Sequence, residues 1–305
     1  MVWHDIFSDI FVLSLAHKQR RQEALRVEFN RVGIDPAKVS WTPAMNGTNP
    51  QIRELVKRLN LVQEDFLPFF TPGHLGCLFS HYSLWLHLYT KHLNEQTPGG
   101  WYLICEDDTK FLPCVNPTFL QTLWNEKPAD AKCIKFHATY AYQPNPNLIS
   151  QDYNQFYRKQ TRISFSLMCY AVHTSFLPEL LFTKWKNHID LFHTEGMYLV
   201  KTPPETQQSI QTLYSSEGFF TEGICLTNNE PDSDTAQERS LDRFQAPLPV
   251  KQLFDTIPPQ EGKHIIHIYD DFKETGTCHV HFEYELKKSL EIPIGHEASV
   301  PNSKE

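Results

Sequence analysis

Three consecutive acidic residues, Glu106, Asp107 and Asp108, directly follow an apolar run at residues 101–105. That run is typical of a β-strand buried on both faces. In open α/β sheets, ligands bind beyond the carboxyl ends of the strands. On an extended segment Glu106 and Asp108 point the same way, and paired carboxylates are ligands that Mg²⁺ and Mn²⁺ prefer. The pattern predicts a divalent-cation site that holds a diphosphate, although a solvated acidic turn would have the same composition.

Strand and helix signals alternate around this acidic segment. Residues 10–15 form a short β-prone run, and a helical pattern follows that ends at Gly33. Asn49-Pro50 and Thr71-Pro72 each combine a capping residue with proline at the first turn, which predicts two more helices. Strands that alternate with helices indicate a layered α/β fold.

The last part of the chain differs in character from the rest. Residues 142–157 are rich in Pro, Asn and Gln, which predicts a long loop. After residue 235 prolines cluster, and residues 264–269 and 279–286 then alternate like the two strands of a hairpin. We therefore predict a main domain at residues 1–235 and a small β-containing appendage at residues 236–305.

Composition excludes several classes of function. The 305-residue chain is 40% hydrophobic and 21% charged, as expected for a folded globular protein. Its formal charge of −8 argues against nucleic-acid binding, which needs a basic surface. Seven cysteines without a C-x-x-C pair indicate a reducing compartment, and no segment approaches the roughly 20 apolar residues of a membrane span. We expect a soluble, cytoplasmic enzyme without a transmembrane segment.

Short motifs follow one another in a fixed order over roughly residues 10–235. They are residues 11–15, Arg20-Arg21, residues 44–47, residues 76–81, Leu84-Trp85, residues 106–108, residues 170–172, residues 189–192, Asn228-Asn229 and residues 232–234. This succession resembles the family 25 glycosyltransferases, which include bacterial lipooligosaccharide and collagen galactosyltransferases. The resemblance implies a GT-A fold, a Rossmann-like mixed sheet flanked by helices. It also implies a nucleotide-sugar donor, usually a UDP-sugar, a divalent cation, and transfer with inversion at the anomeric carbon.

The motifs supply the candidate site residues. The donor-binding candidates are Ser14, Leu15, Arg20, Arg21, Asn46, Gly47, Ser80, His81, Glu106 and Asp107. The candidate metal ligands are Glu106, Asp108 and Asp234, and the candidate catalytic residues are Asp108 and Asp190. A guanidinium group matches phosphate oxygens in pairs, so Arg20 or Arg21 is expected to meet the donor diphosphate.

The acceptor hydroxyl must lose its proton as it attacks, and Asp190 is the first candidate for that base, with Asp232 and Asp234 as alternates. Each of these roles has a structural alternative. Arg20 and Arg21 also fit a solvated helix face, His81 a packed helical position, and Asp190 a helix cap. Histidines in the appendage share a strand face by period two, and we do not predict a zinc site there.

Two residues depart from the family pattern. His74 stands where the family usually has an acidic residue, and Asn46 where it usually has aspartate. These departures keep open a catalytically inactive module that binds a glycan or nucleotide-sugar. Metal-dependent nucleotidyl or phosphoryl transfer also uses clustered acids, but it does not explain the Ser80-His81 segment.

The leading prediction is a hexosyltransferase that uses Mn²⁺ or Mg²⁺ and a UDP-sugar. Its partners are the nucleotide-sugar donor and a glycan or protein acceptor, and the appendage is a candidate homodimer contact.

Overall fold

The computed structural model describes residues 2–95, 99–141, 150–160, 166–183, 185, 195–207, 219–227, 263–270 and 278–285. The helices are α1 (Val2–Ile6), α2 (Gln19–Val32), α3 (Pro50–Arg58), α4 (Pro72–Glu95), α5 (Pro117–Asn125) and α6 (Leu177–Leu181). The first seven strands are β1 (Asp9–Ser14), β2 (Val39–Pro43), β3 (Trp101–Glu106), β4 (Thr109–Phe111), β5 (Cys133–Lys135), β6 (His137–Ala141) and β7 (Ser150–Asp152). The others are β8 (Tyr157–Gln160), β9 (Cys169–His173), β10 (Met197–Val200), β11 (Phe219–Gly223), β12 (Cys225–Thr227), β13 (Lys263–Asp270) and β14 (Cys278–Glu285).

The chain divides into two compact units. Unit 1 comprises Met1–Thr42, Gly100–Thr174 and Asp190–Glu230, and unit 2 comprises Pro43–Gly99, Ser175–Ile189 and Pro231–Glu305. The predicted domain at residues 1–235 therefore contains parts of both units. The predicted boundary at residue 235 lies outside the described residues and stays a prediction.

An eight-stranded mixed sheet with the order β2-β1-β3-β9-β5-β10-β8-β7 forms the centre of unit 1. β1 pairs with β3 and β5 with β10 in parallel, whereas β9 and β8 run antiparallel to their neighbours. The carboxyl ends of β1, β3, β5 and β10 consequently lie at one edge of the sheet. The predicted α/β class with a mixed sheet is confirmed.

One face of this sheet is buried under three helices. Side chains from α1, α2 and α5, such as Trp3, Phe29 and Leu123, pack in one core with Val12 and Ile134 of the strands. Each fully buried side chain of this size contributes on the order of 1.5–3 kcal/mol relative to an exposed one. This core holds β1 and β3, which carry the candidate site, in fixed register.

The predicted helix signals act as expected. Gly33 ends α2 in the left-handed conformation with φ 84°, which costs glycine little. The Asn49 side chain accepts a hydrogen bond from Gln51 N at the start of α3, and the Thr71 hydroxyl accepts one from His74 N at the start of α4.

The prediction of one long loop at residues 142–157 is wrong for residues 150–152 and residue 157. β7 and β8 form an antiparallel edge hairpin there. Its turn is closed by the Asn154 side chain, which accepts hydrogen bonds from Phe156 N and Tyr157 N. Polar, Asn-rich composition thus reflects a side-chain-closed turn on an edge strand.

Unit 2 has its own helical packing. The Arg53 guanidinium on α3 donates to the carbonyls of Leu67 and Phe70, and the rings of Trp85 and Trp185 lie 6.2 Å apart. β13 and β14 pair antiparallel over their full length, which confirms the predicted hairpin. Among the described residues, no helix has the length and apolarity to cross a membrane.

Candidate active site

The parallel pairing of β1 with β3 brings Ser14 and Asp107 together. Leu13 is the register partner of Glu106, so the residues that follow each of them are neighbours at the carboxyl edge of the sheet. The Ser14 hydroxyl donates a 2.7 Å hydrogen bond to Asp107 Oδ2. A residue at the end of the first strand therefore fixes the orientation of the central acid.

The start of α2 supplies two further contacts. Arg21 Nη1 lies 3.3 Å from Asp107 Oδ1, and both side chains are about nine-tenths buried. Gln22 Nε2 donates to Ser14 Oγ at 3.0 Å and to the Leu15 carbonyl at 3.3 Å. Arg21 thus pairs with a protein carboxylate, and Arg20 is exposed to solvent. Gln22 could not be predicted from the sequence, because no local signal distinguishes it from other polar residues of α2.

The turn that carries the three acids is anchored on both sides. Glu106 N donates to the Met168 carbonyl at 2.7 Å, and the Thr109 hydroxyl donates to the same carbonyl at 3.0 Å. β4 then pairs with β12, which places Thr227 opposite Thr109. Asn228-Asn229 follow β12 directly, but they, Asp190 and Asp234 lie outside the described residues.

The carboxylates of the turn lie close together and are largely shielded from solvent. Burial raises the pKa of Asp107, although Ser14 and Arg21 act in the opposite direction. Burial, together with the charges of Glu106 and Asp107, raises the pKa of Asp108 to about 7. Asp108 Oδ1 is shielded from solvent and has no hydrogen-bond partner within the described part of the chain. A divalent cation would satisfy this oxygen and offset the clustered charge, so the donor set fits Mg²⁺ or Mn²⁺.

An open cleft borders the central acid. It has a volume of about 290 Å³ and is lined by Ala24, Leu25, Val27, Glu28, Asp107, Thr109 and Lys110. Asp107 is 8% exposed, so its carboxylate does not extend into bulk water. The acidic segment therefore lies in a structured recess beside α2.

Two predicted motifs meet in unit 2. The Ser80 hydroxyl accepts a hydrogen bond from Met45 N at 2.8 Å and donates one to the Gly76 carbonyl at 2.6 Å. Gly47 and Gly76 approach so closely that a Cβ atom on Gly76 would lie 2.7 Å from Gly47 N. His81 is 1% exposed, and its ring lies 5.8 Å from that of Trp85. The structure thus gives Ser80 a role in joining the two motifs, which the sequence analysis did not predict.

Replacing Arg21 with Gln should destabilise the protein by about 2–3 kcal/mol, because it leaves Asp107 buried without its guanidinium partner. Urea unfolding of the full chain measures this loss. The matched control is Arg20→Gln, which changes an exposed neighbour and should stay within about 0.5 kcal/mol of wild type. Equal stability of the two variants would show that the Arg21–Asp107 contact contributes nothing.

The segment that contains Ser14, Arg21 and the acidic turn is similar to known proteins. Residues 7–135 match the model of glycosyltransferase family 25 (LPS biosynthesis protein). Over this segment, the chain is similar to glycosyltransferase family 25. The match supports the resemblance found from the motifs within residues 7–135.

Two curated relatives carry the same family name. A glycosyltransferase 25 family member of Drosophila melanogaster is 32% identical over 114 residues, and one of Drosophila pseudoobscura pseudoobscura is 29% identical over 111 residues. Each alignment covers 34% of this chain and 16% of the relative. The chain thus spans about one-sixth of the length of the relatives that it matches.

Proposed function

We propose that this protein is a family 25 glycosyltransferase that uses a divalent cation, Mn²⁺ or Mg²⁺. Its donor is a nucleotide-sugar, in our proposal a UDP-hexose, and its acceptor is a hydroxyl group of a glycan or protein. The observation that supports this most directly is Asp108, whose buried Oδ1 lacks a partner in the described part of the structure and lies among the acids that end β3.

The side chains of the acidic turn have different roles in this proposal. Glu106 and Asp108 are the metal ligands, and a bound cation supplies charge stabilisation for the departing nucleoside diphosphate. Asp107 is held by Ser14 and Arg21, and it keeps the turn in the conformation that presents its neighbours. Asp234 stays a predicted third ligand, since it lies outside the described residues.

We further propose that transfer inverts the anomeric carbon. The acceptor oxygen then attacks that carbon while the bond to the diphosphate breaks and its electron pair leaves with the nucleotide. The hydroxyl proton passes to a carboxylate. Asp190 stays the predicted base, and the cytoplasmic location and dimerisation through residues 236–305 also stay predictions.

The departure at Asn46 gives little support to an inactive module. Its side-chain oxygen accepts hydrogen bonds from Thr48 N at 3.0 Å and from the Thr48 hydroxyl at 2.8 Å. An aspartate carboxylate would accept the same two bonds. The exchange therefore preserves the local turn, and we favour an active enzyme.

A screen of nucleotide-sugars tests this function. The full chain is incubated with each donor and Mn²⁺, and release of the nucleoside diphosphate is measured with and without a chelator. We expect turnover of a UDP-sugar that stops when the metal is chelated. Binding of a nucleotide-sugar without any hydrolysis or transfer would favour the inactive module. Turnover at the same rate with and without the chelator would contradict the metal role.

A further inference from the structure

A second polar cluster lies in unit 1, away from the acidic turn. Arg158 Nε lies 3.2 Å from Glu222 Oε1 and 3.1 Å from Asp152 Oδ1, and Lys201 Nζ lies 3.1 Å from the same Asp152 oxygen. Lys201 also donates to the Asn154 carbonyl at 2.9 Å. Neither the cation site nor the helix packing described above uses these residues.

The register of the sheet places this cluster on the same face as Glu106. Ile104, Tyr170, Lys135, Leu199 and Arg158 form one row of register partners across five adjacent strands. Register partners share a face, and so do residues two apart on one strand, so Glu106 and Arg158 project on one side. Four strand spacings separate the strands of Glu106 and Arg158, roughly 19 Å.

β11, which carries Glu222, ends next to the residue that follows β5. Ile224 N donates to the carbonyl of Phe136, the residue that follows β5, at 2.8 Å. β5 lies two strand spacings from β3 in the sheet, roughly 10 Å. Lys201 follows the carboxyl end of β10, at the same edge of the sheet as Glu106. The cluster around Arg158 and the acidic turn therefore lie on the same face of the sheet and at the same edge.

The hydrogen bonding of the cluster is incomplete. Glu222 is 2% exposed, yet its Oε2 atom has no hydrogen-bond partner among the residues that the structure describes. Arg158 Nε is also buried, and it is not aligned for a hydrogen bond with either carboxylate. Burial raises the pKa of Glu222 to about 7, although Arg158 and Lys201 act to lower it. A cluster with only a structural role would be expected to satisfy its buried polar atoms.

The balance of charge indicates the kind of ligand. Two cations, Arg158 and Lys201, stand against two anions, Asp152 and Glu222, so the cluster attracts neither a strong anion nor a strong cation. It offers a hydrogen-bond acceptor on Glu222 beside a hydrogen-bond donor on Arg158. A hydroxyl group, which donates and accepts at once, is complementary to this pair.

We propose that Glu222 and Arg158 form a binding site for the hydroxyl groups of a neutral sugar, the acceptor of the transfer reaction. This inference rests on the proposed function for its place in catalysis. Glu222 Oε2 accepts a hydrogen bond from one sugar hydroxyl, and the Arg158 guanidinium donates to a sugar oxygen. Asp152, with a side chain 64% exposed, balances the charge and lies outside the ligand contacts.

Saturation-transfer NMR on the full chain tests the site with the methyl glycosides of glucose, galactose and mannose. We expect saturation transfer to at least one of them, and a roughly tenfold or greater loss of its affinity in Glu222→Gln, which keeps the shape but removes the carboxylate. Asp152→Asn is the matched control, because it removes the other carboxylate next to Arg158 and should retain binding. If Glu222→Gln does not fold by circular dichroism, Arg158→Lys replaces it, with the same expected loss.

Three outcomes would overturn the proposal: no saturation transfer to any glycoside in the wild type, undiminished binding in Glu222→Gln or Arg158→Lys, or equal losses in Asp152→Asn. Calorimetry of UDP binding with Mn²⁺ is run on the same samples. If UDP still binds but no sugar binds, only the proposal of an acceptor site is contradicted. If sugar binding is intact and depends on Glu222 but UDP does not bind, the proposed nucleotide-sugar donor function is contradicted instead.

Discussion

Asp108→Asn should abolish metal-dependent sugar transfer and also make the metal-free protein more stable at neutral pH. The carboxylate is a proposed cation ligand, so its loss should lower turnover by about a thousandfold or more. In the metal-free protein the same carboxylate lies beside Glu106 and Asp107, and its buried Oδ1 has no hydrogen-bond partner among the described residues. A neutral amide removes this repulsion, and the free energy of unfolding should rise by roughly 1–3 kcal/mol.

The stability gain should depend on pH in a defined direction. The pKa of Asp108 rises from 3.8 to about 7 on folding, so folding favours the protonated acid. Its stabilising contribution is fully present below about pH 4 and is lost as the pH rises through about 7. Wild type and Asp108→Asn should therefore have similar stability in acid and diverge between about pH 4 and pH 7.

Urea unfolding with chelator present, at a series of pH values, measures this difference. Asp130→Asn is the matched control, because it neutralises an acid of unit 1 whose side chain is 60% exposed. It should change neither turnover nor the pH profile appreciably. Near-normal transfer by Asp108→Asn with Mn²⁺ would contradict the metal role, and a destabilised variant at pH 7 would contradict the repulsion within the turn.

Gly47→Ala should strongly destabilise unit 2. A Cβ atom at residue 47 would overlap the Pro72 carbonyl and lie 2.7 Å from Gly76 N. Both neighbours are backbone atoms at the start of α4, so the helix would have to move to remove the steric overlap. We expect a loss of about 3 kcal/mol or more in the free energy of unfolding.

Gly100→Ala is the appropriate control for this effect. A Cβ atom there meets the hydroxyl end of Ser8, and that side chain can rotate away. The cost should be below about 1 kcal/mol. Thermal unfolding of both variants measures the difference in stability. A Gly47→Ala protein as stable as Gly100→Ala would show that the close approach of residues 47 and 76 is not required for stability.

Local signals in the sequence were sufficient to predict the helix ends and the acidic turn. Gly33 and Asn49 act within a few residues of their own position, so their effect can be inferred without the fold. The apolar run before Glu106 likewise forms a buried strand wherever it pairs. These elements account for the confirmed α/β class and for the place of the three acids.

Contacts that depend on register could not be predicted. The Ser14–Asp107 bond joins residues 93 positions apart, and it exists because β1 and β3 pair with Leu13 opposite Glu106. The role of Ser80 follows from the approach of Gly47 to Gly76, which its helical position does not reveal. Glu222 was missed for the same reason, since its ion pair with Arg158 joins β11 to the edge hairpin.

Calorimetric titration of UDP into the full chain, with Mn²⁺ and then with chelator, tests most directly whether the acids at the end of β3 hold a cation that binds a nucleoside diphosphate. We predict heat of binding with Mn²⁺, none with chelator, and none for Asp108→Asn in either condition. UDP binding of equal strength in all of these conditions would contradict the account.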